Sequence, residues 1–133
     1  MFNIEQTLNH WKNSLPQNVA HGGLFSRNPI AHKWKSPLRS FMLREAVFWR
    51  IHDLLSQAHL LHKSGHTLGS RILLRSGLET LAILIYLNQL TQNVVAGTED
   101  FHEFSLKTSK LLLGSRNKST KHKSINIMSV LEK

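Results

Sequence analysis

The sequence predicts an all-α fold, an irregular antiparallel helical bundle built around one long two-helix hairpin. Three observations predict it. Apolar residues recur at helical spacing along most of the 133-residue chain. Proline and glycine punctuate these stretches, with Pro16, Gly65 and Gly114 at helix ends and Pro37 at a helix start. Only the three residues Ser64 to His66 separate the two longest stretches, so these helices must run antiparallel.

Taken in order, Ile4, Leu8, Trp11 and Leu15 mark a short amphipathic helix that Pro16 ends. From Gln17 to Ser36 no period is sustained, and Gly22, Gly23 and Pro29 indicate a long loop or arm. Ser36 reads as a helix cap with Pro37 in the first turn. The helix from Pro37 to about Lys63 carries Leu43, Val47, Ile51, Leu54, Ala58 and Leu61 on one face, and Gly65 stops it. Met42, Trp49 and Leu60 lie roughly opposite that face, and either the N-terminal helix or a second copy of the chain should cover them. Thr67 is the expected cap of a second long helix, Leu68 to about Gln92. Its run Leu81 to Leu87 is apolar all round and so belongs in the middle of the bundle. Thr98, with Glu99 and Asp100 behind it, reads as a third start. Phe101, Phe104, Thr108, Leu111 and Leu112 should form its buried side, with Gly114 as its end. A polar basic stretch, Ser115 to Lys123, precedes a last apolar helix from Ile125 to Leu131. The division is therefore an N-terminal helix and arm over 1–36 and a bundle over 37–133, whose uncapped last helix reads either as a frayed end or as one that continues in a longer domain.

Composition narrows the function. There are no cysteines, which removes disulfides, thiolate metal sites and cysteine nucleophiles and suits the cytoplasm. The N-terminal residues lack the apolar core of an export signal, and the run Leu81 to Leu87 is far short of the ~20 residues needed to span a bilayer. Motifs of the common nucleotide-binding and hydrolase classes do not occur. Two aspartates and six scattered glutamates are poor material for a magnesium or calcium cage, and no cofactor is expected. His52, His59 and His66 recur every seven residues with His62 between them. Gly65 breaks that helix before His66, and no carboxylate cluster lies near, so no metal site is expected.

The formal net charge is +9, and residues 107–133 hold seven basic residues against one acidic. Such a concentration attracts polyanions. Lys107, Lys110, Lys118, Lys121 and Lys123 are the candidate phosphate contacts. In the arm, Phe25, Arg27, Lys33, Trp34 and Lys35 interleave rings and cations as single-strand binders do, although Trp34 would equally anchor the arm on the core. On the second long helix Arg71, Arg75 and Glu79 repeat at four-residue spacing amid apolar neighbours, which predicts a buried, paired polar network centred on an Arg75–Glu79 ion pair.

Arg116, Asn117 and His122 are the candidate catalytic group. Metal-free cleavage of RNA needs a base with a pKa near 6.5 and a fixed cation for the charged transition state, which histidine and arginine supply. An arginine, a polar residue and a histidine a few positions on resembles the motif of the HEPN-like all-helical family. The segment RILLRSGLETLAILIYL from Arg71 also resembles the arginine-and-glutamate helix of its DUF5677-type relatives. The resemblance spans roughly 38–131. It implies a helical, dimer-forming protein that binds or cleaves RNA without metal, with His122 as base, Arg116 as transition-state cation and Asn117 as positioner. It departs in one respect: those relatives continue into a further helix bearing a histidine. The residues alone also allow a non-catalytic basic module that binds nucleic acid or a protein partner, or a structural domain of a longer protein.

Overall fold

The computed structural model describes residues 3–18, 35–114, 121 and 123–125. Four helices follow in order, α1 (Ile4–Ser14), α2 (Lys35–Lys63), α3 (Thr67–Val95) and α4 (Phe101–Leu113), and no strand accompanies them among the described residues. The chain is an all-α bundle. The α2–α3 hairpin is its frame, α1 packs on α2, and α4 packs against both long helices. The hairpin turns where it was expected to. Gly65 stands at φ 80°, with its N–H donated to His62 O and the next N–H, His66, donated to Leu61 O at 2.9 Å. These two bonds satisfy carbonyls that a helix end would otherwise leave unpaired.

The core forms where the apolar faces of the hairpin meet. Leu43, Val47 and Ile51 from α2 and Leu87 from α3 are buried together, with Trp11, Leu55, Ile83, Leu84 and Leu111 packed around them. Ala58 is buried further along the same α2 face. The 3.6-residue period thus identified the inward side of α2 correctly. On α4, Phe104 and Thr108 point inward as expected, whereas Leu112 is exposed and Ser109 takes the buried position.

Helix starts differ from their expected places for definite reasons. Ser36 is not a cap. It lies within α2, one residue past the helix start at Lys35, where a residue with helical backbone cannot act as the flanking cap, and it donates its buried hydroxyl to Ser105 Oγ of α4 at 2.6 Å. Pro37 still sits in the first turn, where its missing N–H costs no intrahelical bond. Thr67 belongs to α3 itself, with His66 as the flanking residue. At α4 the cap is Asp100, whose carboxylate accepts the His102 N–H at 2.8 Å, while Thr98 donates back to Asn93 O. Helix α3 also runs three residues past its expected end, to a second glycine turn at Gly97 with φ 74°.

Helix α3 does not lie in the middle of the bundle. Ala82 and Leu87 are buried, yet Leu81 and Ile85 of the same apolar run are 39% and 49% exposed. Of the three α2 residues expected to need a cover, Trp49 is reached by the segment that follows α1, its indole N–H donating to Pro16 O at 3.0 Å. Met42 and Leu60 stay exposed. The expected last helix lies outside the described residues apart from Ile125, as does the arm over 19–34.

Candidate functional site

The three residues of the candidate catalytic group, Arg116, Asn117 and His122, lie outside the described residues, as do Lys118 and the arm residues Phe25, Arg27, Lys33 and Trp34. Lys35, the last of the arm group, opens α2 rather than belonging to a loop. The remaining candidate phosphate contacts divide into two kinds. Lys110, Lys121 and Lys123 are exposed. Lys107 is already engaged: its ammonium donates to Glu99 Oε1 at 2.6 Å, and that hydrogen bond holds its pKa above the usual lysine value against the opposing effect of partial burial. An ammonium committed to a shielded carboxylate is a poor phosphate contact, so Lys107 is part of the α3–α4 turn rather than of an anion-binding track.

Two of the three histidines on α2, His52 and His59, stand against α1. His52 is buried, and its Nε2–H donates to Leu8 O of α1 at 3.1 Å, since a carbonyl can only accept. Trp11 and Trp49 meet the ring edge-on at 6.0 and 6.3 Å. His59 Nε2 is also shielded and stands 3.6 Å from Glu5 Oε1, too far for a hydrogen bond. Glu5 instead accepts from Lys63 Nζ at 2.5 Å, and this bond, then the charge of Lys63, lowers the carboxyl's pKa. The imidazoles therefore serve to seat α1 on α2. No group of three potential metal ligands occurs among the described residues.

Arg71, Arg75 and Glu79 form no buried network. Arg75 Nε does donate to Glu79 Oε1, at 3.1 Å, but the two side chains are 78% and 41% exposed, and Arg71 is exposed as well. The error lies in which side of α3 faces the core. The residues beside them, Leu74, Leu78, Leu81 and Ile85, follow a four-three-four spacing and all are exposed. That spacing places them in one stripe along the helix. The apolar surroundings read from the sequence exist, but they face outward.

A second apolar feature adjoins this stripe. Between α2, α3 and the first turn of α4 lies a groove of about 730 Å³, lined chiefly by apolar side chains, among them Phe41, Phe48, Leu84, Val94, Phe101 and Phe104. Arg44 stands at its edge with Asn88 and Gln89. Its guanidinium lies 5.2 Å from the Phe41 ring centroid and donates through Nε and Nη2 to Glu45 Oε1 at 2.8 and 2.6 Å. No sequence motif pointed to this groove, because three helices contribute to it and each contribution alone reads as core.

No helix among the described residues is long and apolar enough to cross a membrane. The chain matches no protein-family model, no curated protein and no solved structure, so its sites are read from its own residues.

Proposed function

We propose that this is a HEPN-like helical protein of the cytoplasm that binds RNA through its basic C-terminal third and cleaves it by metal-independent acid–base chemistry. The observation that carries the reading is the charge distribution: seven basic residues against one acidic over 107–133, on a chain whose segment 67–106 is net acidic. The helical scaffold agrees with it. Lys110, Lys121 and Lys123, whose side chains are exposed, contact phosphates together with Lys118, whereas Lys107 stays with Glu99. His122 takes the 2′-hydroxyl proton, Arg116 stabilises the charged phosphorane-like transition state, and Asn117 positions the phosphate.

The test is cleavage of a labelled single-stranded RNA in EDTA, with His122→Ala and Arg116→Ala compared at matched binding. Products ending in 2′,3′-cyclic phosphate, lost in both variants, are expected. Binding without scission, or scission that survives both substitutions, would leave a basic binding module in place of the nuclease.

One observation favours a second reading, in which the chain is an assembly module. Leu74, Leu78, Leu81 and Ile85 form an exposed apolar stripe of coiled-coil spacing on α3. A second copy would bury it, joining two hairpins in a four-helix arrangement. In this reading sedimentation gives a dimer that Leu78→Glu converts to monomer; a monomeric wild-type chain at micromolar concentration refutes it.

A further inference from the structure

From the groove between α2, α3 and α4 we infer that the protein has a binding site for a long-chain carboxylate, an amphiphile of the fatty-acid class. The inference goes beyond the RNA reading and does not depend on it. The volume of about 730 Å³ lies within the ~300–1,000 Å³ typical of pockets that bury a small molecule. The site is long: its α2 lining runs from Pro37 to Phe48, a rise of about 16 Å at 1.5 Å per residue. Its chemistry changes along that length. Because α2 and α3 are antiparallel, the Pro37 end lies beside Val94, with Phe101 and Phe104 of α4, and is apolar apart from Ser40 and Thr91, whose hydroxyls are taken up by the carbonyls of Ser36 and Leu87. Partway along stand the guanidinium of Arg44 and the side-chain amides of Asn88 and Gln89, with Phe48 and Leu84 beyond them. A largely apolar groove with one cluster of donors partway along it matches a molecule with a hydrocarbon tail and an acceptor head.

Arg44 narrows the head group. Glu45 engages its Nε and Nη2, and the Phe41 ring supports its face, which leaves Nη1 as the guanidinium nitrogen without a partner among the described residues. A guanidinium held by two contacts loses little further freedom when it takes a third. The adjacent Glu45 carboxylate offsets part of its charge. The site therefore favours a singly charged carboxylate over a phosphate, whose two charges would meet one half-neutralised cation. A polar metabolite is disfavoured by the apolar lining, which would strip its hydration without replacing it.

The experiment is a calorimetric titration of the full chain with dodecanoate below its critical micelle concentration, with dodecanol and dodecyltrimethylammonium as comparisons. Saturable one-to-one binding of dodecanoate is expected, with the alcohol and the cation weaker. Arg44→Gln should weaken dodecanoate by about ten- to hundredfold, the loss of one charge-assisted hydrogen bond. Val94→Trp fills the apolar end and should abolish binding with the helical circular dichroism intact. Leu60→Gln, exposed at the far end of α2, should leave it unchanged. Equal affinity for all three amphiphiles, no saturable binding, or unchanged affinity in Arg44→Gln overturns the proposal. So does a Val94→Trp variant whose only effect is a change of sedimenting mass, since the groove would then be covered by a second copy. Should Val94→Trp not fold, the substitution at exposed Arg44 still decides the matter.

Discussion

Glu5 and Lys63 form an exposed ion pair across the α1–α2 contact, both side chains more than half accessible. The carboxyl's pKa is lowered in the folded state by Lys63. The pair therefore favours the docked α1 above the usual glutamate pKa of about 4.3, and that contribution is lost as the pH falls through the lowered folded value. Tryptophan fluorescence, which reports Trp11 and Trp49 at this contact, should change on acidification toward pH 3. In Glu5→Gln the same change should be smaller, because the neutral amide has no such pH dependence; an identical profile would refute the assignment. The Lys107–Glu99 pair is the opposite case. Glu99 is only 11% exposed, so Lys107→Met leaves a shielded carboxylate without its partner. A destabilisation of about 0.5–1 kcal/mol by thermal denaturation is expected, kept small because Lys107 itself is a third exposed and screened by water and salt. The raised lysine pKa means the pair is fully formed below the ordinary lysine value and is lost only as alkaline pH passes the folded one. Since Lys107 is committed to Glu99, the salt slope of RNA binding should not change in this variant. Substituting Lys110 should lower it by roughly 0.7 per phosphate contact removed.

Helix ends were legible in this sequence where one residue decides them and illegible where a distant partner does. Gly65 is the first kind, because the turn needs a left-handed residue and glycine adopts it without a Cβ penalty. Gly97 makes the same turn, with the Thr98 N–H donated to Asn93 O and the Gly97 N–H to Val94 O. It was missed as a helix end because Gln92–Val95 continues α3 without an apolar period strong enough to announce it. Gly97→Ala should cost about 1–2 kcal/mol, read as a lower thermal midpoint, since the αL conformation burdens any residue with a Cβ. Ser36 is the second kind. Its partner Ser105 lies 69 positions away, and Arg39, which donates to Ser109 Oγ at 2.8 Å, is bound at a similar separation. No local pattern identifies a polar seam between α2 and α4. The side of α3 that faces the core was likewise unreadable: its leucines and isoleucines surround the helix, so periodicity cannot say which of them are left outside.

At the scale of the molecule, each chain neighbour in the helix order is also a packing neighbour: α1 on α2, α2 on α3, α3 on α4, with α4 reaching back only to α2. That connectivity has a kinetic consequence. The loops that must close to form the main contact are short, since Ser64 to His66 alone separate the two longest helices. The entropy lost before contacts begin to repay it is therefore small, and helical chains of such local topology fold in microseconds to milliseconds. Stopped-flow or temperature-jump refolding should show the α2–α3 hairpin forming first. A substitution in its buried seam, such as Ile51→Val, should slow folding in proportion to the stability it removes. Glu5→Gln at the α1 contact should act almost entirely on unfolding. A mature hairpin that precedes α1 and α4 would also mean that, early in folding, the α2 and α3 residues that α1 and α4 later cover are exposed together with the outward leucines of α3. During that interval the chain is most exposed to capture by apolar surfaces, its own copies included.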